Sequence, residues 1–255
     1  MQTTQQLYPL LEQVGRGQMG CVYNTHNNFV IKKLPLNERS NNELTILKYL
    51  SQFDDLENYI SKYHTDYKDK NYLYIVMSKL SGRSLAYFKK HELSCQQYKD
   101  IAQHLIKGLS IIHSHGVIHR DIKLENIMID QGMAKYIDFG LSCFIDDDDC
   151  LMLSRGTMHY ISPEMITLYQ SEEYPEDIVD KLIASDVWAL GITLYYLVNR
   201  DLPFISNNQE ELMEEILYKR IISISLCIEM NKIINLMLTK EYFNRPTTEK
   251  LIAMF

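Results

Sequence analysis

The chain has 255 residues, of which 46% are apolar and 23% charged, with a formal net charge of −7 at pH 7. This is the composition of a globular protein, and the acidic balance argues against a general nucleic-acid binder or a polybasic membrane surface. The amino terminus lacks a secretory signal, and five cysteines without a CxxC pair argue for a reducing compartment and against a disulfide framework or zinc site.

Near the amino terminus, Gly15, Gly17 and Gly20 occupy the first, third and sixth positions of a short segment. Glycine has no Cβ, so its backbone can approach a phosphate closely. The same spacing occurs in dinucleotide-binding turns, which open into a helix. Here residues 21–23 predict a strand and residues 24–28 a turn, which favours a hairpin and argues against a dinucleotide-dependent oxidoreductase.

The next predicted strand, 29–32, is apolar and ends in Lys32, with Lys33 directly after it. Side chains alternate between the faces of a strand, so only one of the two lysines can lie beneath the glycine segment. Apolar residues in helical spacing then predict a helix over 41–50. Its Glu43 is a candidate partner for the strand lysine, and Glu38 is the competing candidate.

Further along, residues 72–77 predict a strand and 78–81 a connecting hinge. The pattern is then mainly helical, with a helix predicted from Tyr98 to His115 and ended by Gly116. The apolar stretch Leu182 to Val198 is the nearest match to a membrane span. It contains Asp186 and is short for a span, so it predicts a buried central helix instead.

Two polar loops stand beside the short apolar strands predicted at 127–129 and 134–137. The first is His119-Arg120-Asp121-Ile122-Lys123-Leu124-Glu125-Asn126, and the second is Asp138-Phe139-Gly140. Phosphoryl transfer needs one Asp to accept the proton of the substrate hydroxyl, and an Asn and a second Asp to hold magnesium on the nucleotide phosphates. Either loop alone is ambiguous, but their order and spacing together indicate this chemistry.

Three later motifs complete the pattern: Ser162-Pro163-Glu164, Asp186-Val187-Trp188-Ala189-Leu190-Gly191 and Asn244-Arg245-Pro246. The whole set resembles the eukaryotic-type protein kinase family, of the serine/threonine-specific kind. The resemblance implies an α+β fold in a single kinase domain, 1–255. It implies a small β-rich lobe with one main helix (about 1–77), a hinge (about 78–81) and a larger, mainly helical lobe (about 82–255). It also implies that Arg245 pairs with Glu164 to hold structure.

The resemblance assigns roles to individual residues and implies ATP and Mg²⁺ as cofactors, with Mn²⁺ as a substitute. The implied catalytic residues are Asp121, Lys123, Asn126, Lys32 and Glu43, and the implied metal ligands are Asn126 and Asp138. Lys123 and Thr157 are typical of enzymes that act on Ser and Thr. The implied nucleotide-binding residues are Gly15, Arg16, Gly17, Gln18, Met19, Gly20, Cys21, Val22, Val30, Lys32, Met77, Ser78, Leu80 and Met128.

The expected partners are ATP and protein substrates with a Ser or Thr acceptor, with a mild preference for basic peptides, and neither nucleic acid nor membrane. We expect an intracellular location, cytoplasmic or nuclear, and no regulatory domain in this chain. The sequence departs from the family in an acidic insertion (169–183) and in the run Asp146 to Asp149. Leu153 occupies the usual phosphoacceptor position, beside Ser154, which predicts little dependence on loop phosphorylation.

Two other functions share this fold. A catalytically inactive kinase that acts as a scaffold typically lacks the strand Lys, the catalytic Asp or the metal-binding Asp, and all three positions are filled here by Lys32, Asp121 and Asp138. A small-molecule phosphotransferase is not expected to carry the Ser162-Pro163-Glu164 segment together with Thr157. We therefore expect an active protein kinase, with the scaffold as the alternative.

Overall fold

The computed structural model describes residues 3–17, 20–88, 92–147, 157–171, 175–221 and 227–255. A short helix, α1 (Thr4–Leu7), precedes an antiparallel sheet, and the rest of the described chain is mainly helical. The predicted α+β fold class is confirmed.

The large sheet has five strands in the order β1-β2-β3-β5-β4. Neighbouring strands run antiparallel throughout. In the turn between β2 and β3, Asn27 and Asn28 adopt φ values of 60° and 63°, a left-handed conformation that Asn accepts more readily than most residues. The strands are β1 (Gln13–Arg16), β2 (Cys21–Asn24), β3 (Phe29–Pro35), β4 (Tyr63–Lys68) and β5 (Tyr72–Ser78).

Helix α2 (Glu38–Leu50) connects β3 to the rest of the sheet. It begins before the predicted residue 41 because Asn37 and Ser40 form a capping box. The Asn37 side chain accepts a hydrogen bond from Ser40 N at 2.9 Å, and the Ser40 hydroxyl accepts one from Asn37 N at 3.1 Å. The apolar face of α2, including Leu44, Leu47 and Leu50, is buried in the main core.

The rest of the described chain contains helices and strands packed into one core, to which the central helix α5 contributes Trp188 and Leu190. The helices are α3 (Cys95–Ser114), α4 (Pro163–Gln170), α5 (Ile178–Asn199), α6 (Gln209–Tyr218), α7 (Ile228–Met237) and α8 (Thr248–Ile252). Two small sheets accompany them: β6 (Arg83–Ser84), β8 (Ile127–Asp130) and β9 (Met133–Tyr136) in one, and β7 (Val117–Ile118) with β10 (Cys143–Phe144) in the other.

Helix α5 corresponds to the apolar stretch predicted as a central helix. Within the described chain it alone is long and apolar enough to cross a membrane, and most of that stretch is buried inside the protein. A helix that is apolar on all sides is expected in the centre of a large core.

Residues 59–61 join the large sheet to the helical part. Tyr136 N donates to Tyr59 O at 2.8 Å, and Ser61 N donates to Tyr136 O at 3.2 Å. The buried Tyr136 hydroxyl then donates to Leu105 O in α3 at 2.9 Å. The chain entering β4 is therefore fixed to both β9 and α3.

The prediction against a disulfide framework is wrong, because the described chain contains a disulfide. Cys95, at the start of α3, is bonded to Cys227, the residue before α7. The two cysteines are 132 residues apart in sequence, and helix packing brings their Cα atoms within 5.5 Å. No local spacing of cysteines could indicate such a pair. Among the described residues, Cys21 remains a free thiol.

Candidate active site

The glycine segment joins β1 to β2, and Gly15 lies within β1. Gly17 N donates to Gly20 O at 2.9 Å. A Cβ on Gly20 would lie 2.2 Å from Lys33 O, so packing against β3 requires glycine there. A Cβ on Gly17 would meet only Gly20 O, at 3.9 Å, among the described residues. Protein packing does not require glycine at 17, which is consistent with close approach of a ligand. Gln18 and Met19 lie outside the described residues.

The register of the sheet separates Lys32 from Lys33. Val22 pairs with Lys32 and Cys21 with Lys33, so Lys32 and Lys33 lie on opposite faces. Lys32 is buried on the inner face, whereas Lys33 lies on the outer face, 4.0 Å from the centre of the Tyr72 ring. Cys21 lies on the same outer face as Lys33. Its thiol therefore points away from Lys32, and of the predicted nucleotide contacts of Cys21 only those of its backbone remain.

Lys32 lies between two carboxylates. Its Nζ contacts Glu43 Oε1 of α2 and lies 3.0 Å from Asp138 Oδ1. Burial by itself would lower the pKa of Lys32, but the charges of Glu43 and Asp138 outweigh burial and raise this pKa to about 12. Glu38, the competing candidate, is exposed in the first turn of α2. The structure thus brings Lys32, Glu43 and Asp138 together.

Asp138 keeps its charge despite burial. Burial alone would raise its pKa, but the Lys32 charge and a hydrogen bond from Gly140 N (3.0 Å) lower the pKa below its usual value. Both of these contacts use Oδ1. Among the described residues, Oδ2 has no hydrogen-bond partner and remains available to a cation.

Asp121 is the centre of a hydrogen-bond network on the other side of the cleft. Lys123 Nζ lies 2.7 Å from Asp121 Oδ2 and 3.0 Å from Oδ1. Thr157 Oγ1 accepts from Lys123 at 3.1 Å and donates to Asp121 Oδ1 at 3.4 Å. Asn126 Nδ2 donates to both the backbone O and Oδ2 of Asp121, each at 2.8 Å. These predicted residues all meet in one cluster.

Asn126 and Asp138 fit the chemistry of a magnesium site. Because the Asn126 amide nitrogen bonds to Asp121, its amide oxygen is the atom left for a cation. Asp138 adds a carboxylate oxygen. Mg²⁺ prefers such hard oxygen ligands and usually takes only one or two carboxylates from the protein.

The loop that carries Asp121 is fixed by Asp186 of α5. The Asp186 carboxylate accepts hydrogen bonds from His119 N at 2.7 Å and Arg120 N at 2.8 Å. Arg120 has a φ of 66°, an uncommon conformation that the surrounding contacts must maintain. His113 of α3 also bonds to Asp186, at 2.9 Å. Sequence reasoning did not identify His113, because only the packing of α3 on α5 brings it to this carboxylate.

His119 is buried between the rings of Tyr136 and Phe139, whose centroids lie 5.4 and 5.0 Å away. Burial lowers the pKa of His119, and the negative charges of nearby carboxylates such as Asp186 only oppose that shift in part. His119 is therefore neutral near pH 7. Its Nδ1 accepts a hydrogen bond from Asp121 N at 3.3 Å.

The residues expected to surround the adenine come from four strands, β2, β3, β5 and β8. Val22 pairs with Lys32, and Val30 pairs with Met77, which is buried in β5. Met128 lies in β8 and is half-buried. The expected hinge overlaps the end of β5: Ser78 is the last residue of that strand and Leu80 lies just after it, both half-buried, while Arg16 is exposed on β1.

Glu125, Tyr196 and Asp121 all lie near Tyr160. Glu125 is exposed on the turn after Asp121. Burial raises the pKa of Tyr160, and the nearby charge of Glu125 raises it further. Several other positions that the sequence singles out lie outside the described residues: Asp148, Asp149, Leu153, Ser154 and, in the acidic insertion, residues 172–174.

The predicted Arg245–Glu164 pair supports this side of the site. Arg245 Nη1 lies 2.6 Å from Glu164 Oε1, and Nη2 lies 2.9 Å from Oε2. Both side chains are buried. The intact pair joins α4 to the segment before α8. Loss of either partner would leave a buried charge without its counter-charge, which is strongly destabilising.

Comparison with known proteins agrees with this geometry. A family model described as the protein kinase domain matches residues 8–254. The chain is also similar to a probable serine/threonine-protein kinase of Dictyostelium discoideum, with 31% identity over 223 residues that cover 78% of this chain and 30% of that protein. The chain thus spans less than a third of the length of this relative. The match over nearly its whole length shows that the chain belongs to the protein kinase domain family.

Proposed function

We propose that this chain is a serine/threonine protein kinase that transfers the γ-phosphoryl group of ATP to Ser or Thr hydroxyls of protein substrates. One observation carries the proposal: the residues that phosphoryl transfer requires form two hydrogen-bonded groups, and a backbone bond from Ile137 N to Asn126 O joins the segments that carry them. Asp121 is bonded to Lys123 and Asn126 on one side, and Lys32 is bonded to Glu43 and Asp138 on the other.

On the substrate side, Asp121 orients the attacking hydroxyl and accepts its proton as the O–P bond forms. Lys123, 2.7 Å from Asp121, is placed to neutralise the charge of the transferring phosphoryl group. The Thr157 hydroxyl contacts both side chains and keeps them aligned. These contacts support a preference for Ser and Thr acceptors.

On the nucleotide side, Lys32 binds the α- and β-phosphates and Glu43 fixes the position of its ammonium group. Asn126 and Asp138 would hold Mg²⁺, or Mn²⁺ in its place. The bound cation supplies neutralisation of the phosphate charge. Val22 and Met128 pack against the adenine ring from opposite sides.

The direct test is turnover of magnesium ATP on a mixed Ser, Thr and Tyr peptide library, with Asp121→Asn as the inactive control. We expect phosphorylation of Ser and Thr peptides by the wild-type chain alone. Nucleotide binding without turnover in both proteins would instead support the inactive scaffold. Transfer to a small-molecule hydroxyl, with every peptide left unmodified, would contradict protein phosphorylation.

A further inference from the structure

Helix α2 contacts the segment that follows Asp138 at three successive positions. Arg39 Nε donates to Gly140 O at 3.0 Å, and Asn42 Nδ2 donates to Ser142 O at 2.7 Å. Farther along the helix, the Tyr49 ring meets the Phe144 ring edge-on, with centroids 5.1 Å apart. We call Arg39, Asn42 and Tyr49 the α2 seam.

The segment touched by the α2 seam is connected to both halves of the candidate site. At its start, Gly140 N donates to Asp138. In its middle, Ser142 Oγ donates to His119 O at 3.1 Å. At its end, β10 pairs with β7, the strand directly before the loop of Asp121. Movement of α2 relative to this segment would therefore disturb Lys32, Asp138 and Asp121 together.

The pair that α2 contributes to the site needs such support. Glu43 is fully buried, and its Oε2 has no hydrogen-bond partner among the described residues. The attraction in a buried ion pair offsets the free energy lost by removing both charges from water only when the geometry is good. The Lys32–Glu43 contact alone therefore does not hold Glu43 in position. Contacts elsewhere on α2 must keep Glu43 in place.

We infer that Arg39 and Asn42 are positioning residues for phosphoryl transfer, an inference that rests on the proposed function. They fix the helix of Glu43 against the segment of Asp138, so that Lys32 is bonded to both carboxylates. The backbone carbonyls of Gly140 and Ser142 accept these bonds, and no phosphorylated side chain takes part. The α2 seam therefore supports activity in an unmodified chain.

The test uses Arg39→Ala, Asn42→Asp and the double variant, all treated with phosphatase so that no added phosphate contributes. Asn42→Asp keeps the shape of the side chain but removes the donor. Thr45→Ala is the matched control, since Thr45 is exposed on α2 and its hydroxyl bonds, within the described part of the chain, only to Asn41 O of the same helix. Arg39→Lys is the conservative variant, because it keeps a charged donor.

We expect each single variant to lower kcat about tenfold and the double variant about 100-fold, because each lost hydrogen bond makes the reactive arrangement of Lys32, Glu43 and Asp138 less populated. The KM for magnesium ATP should rise as well, because displaced Lys32 and Asp138 hold the nucleotide less tightly. Arg39→Lys should recover part of the rate. Thr45→Ala should resemble the wild type.

Amide hydrogen exchange over α2 gives a readout that needs no activity. Exchange should be faster in Arg39→Ala and Asn42→Asp than in the wild type and Thr45→Ala. Unchanged exchange, or faster exchange with unchanged kcat, would overturn the inference. If the wild-type chain shows no turnover, the proposed function is refuted, and so is the role of the α2 seam in phosphoryl transfer. Amide hydrogen exchange would still show whether Arg39 and Asn42 hold α2 in place.

Discussion

Asp121 and Asp138 are both carboxylates of the cleft, but their neighbours give them different tasks. Asp121 is bonded to Lys123 and Asn126, whereas Asp138 is bonded to Lys32 and Gly140. Asp121 is grouped with the residues proposed to contact the acceptor hydroxyl, whereas Lys32 and Gly140 N hold Asp138 as an anion that can bind a cation. Replacing each carboxylate separately should therefore affect different kinetic constants.

We expect Asp121→Asn to lower kcat by about 100-fold or more with little change in nucleotide affinity, because it removes the proposed general base. Asp138→Asn should instead weaken binding of the magnesium nucleotide by about tenfold or more, because it removes a proposed metal ligand. Steady-state kinetics and nucleotide titration separate the two effects. Wild-type turnover in Asp121→Asn would contradict the role of Asp121.

Lys32 and Lys33 provide a second comparison within one strand. Lys32→Met should lower kcat by about 100-fold or more, because it removes a fixed positive charge from the phosphate site. The protein should remain folded, since burial raises the pKa of Glu43 and favours its neutral form once Lys32 is gone.

Lys33→Met is the matched control for this substitution. It should lose only about 0.5–1 kcal/mol of stability, from the contact with the Tyr72 ring, and keep its activity. Kinetics and thermal unfolding of both variants check the assignment. Inactivity of Lys33→Met with an active Lys32→Met would mean that the strand register is displaced by one residue.

The loop between β7 and β8 makes stability depend on pH through His119. The pKa of His119 in the folded chain lies below the ordinary value of 6.5. At a pH between these two pKa values, His119 is protonated in the unfolded chain and neutral in the folded chain. The free energy of unfolding should therefore fall as the pH drops below about 6.5, by at most about 1.4 kcal/mol per pH unit. Chemical denaturation between pH 7.5 and pH 5 measures this slope.

His119→Phe should remove this part of the slope, because Phe does not titrate and can pack between the Tyr136 and Phe139 rings. The charged or titratable groups that face His119 are Asp186, Asp121, Asp138 and His113. The pKa values of Asp186 and Asp138 are lowered below 3.8, so their protonation affects stability at more acidic pH. An identical slope in the variant would assign the pH dependence to other groups.

The exposed Glu125, which lies near Tyr160, should give a mild preference for basic peptides. An exposed ion pair contributes about 0.2–1 kcal/mol, or about a 1.4- to fivefold change in kcat/KM. High salt should reduce the preference by screening. Glu125→Gln should reduce it as well, while Glu12→Gln, an exposed acid before β1, serves as the control. Selection of acidic peptides from a library would contradict this prediction.

At the scale of the whole molecule, the Cys95–Cys227 disulfide encloses most of the helical part. In the chain-entropy model, closing a loop of more than 100 residues stabilises the folded state by up to about 4–5 kcal/mol. Replacing both cysteines by Ser should therefore lower the Tm by about 10 °C. Differential scanning calorimetry checks the shift, with Cys21→Ser as the control. An unchanged Tm would show that this bond does not stabilise the chain in solution.

The sequence by itself determined the features that depend on neighbouring residues. Strand alternation separated Lys32 from Lys33, and the order of the loop motifs indicated a phosphoryl-transfer site in an α+β chain. The early start of α2 was also present in the sequence, as the Asn37 and Ser40 cap, although apolar periodicity alone did not detect it. Such features are local because backbone geometry and capping act over a few residues.

Only the tertiary structure decided which distant residues meet. The contacts of Arg39 with Gly140, of His113 with Asp186 and of Cys95 with Cys227 each join residues at least 73 apart in the chain. A contact between two residues so far apart in the chain produces no periodic pattern in the sequence. Which residues meet depends on how whole helices pack against one another. For this reason the sequence indicated the reacting groups, whereas the α2 seam and the disulfide became visible only in the folded chain.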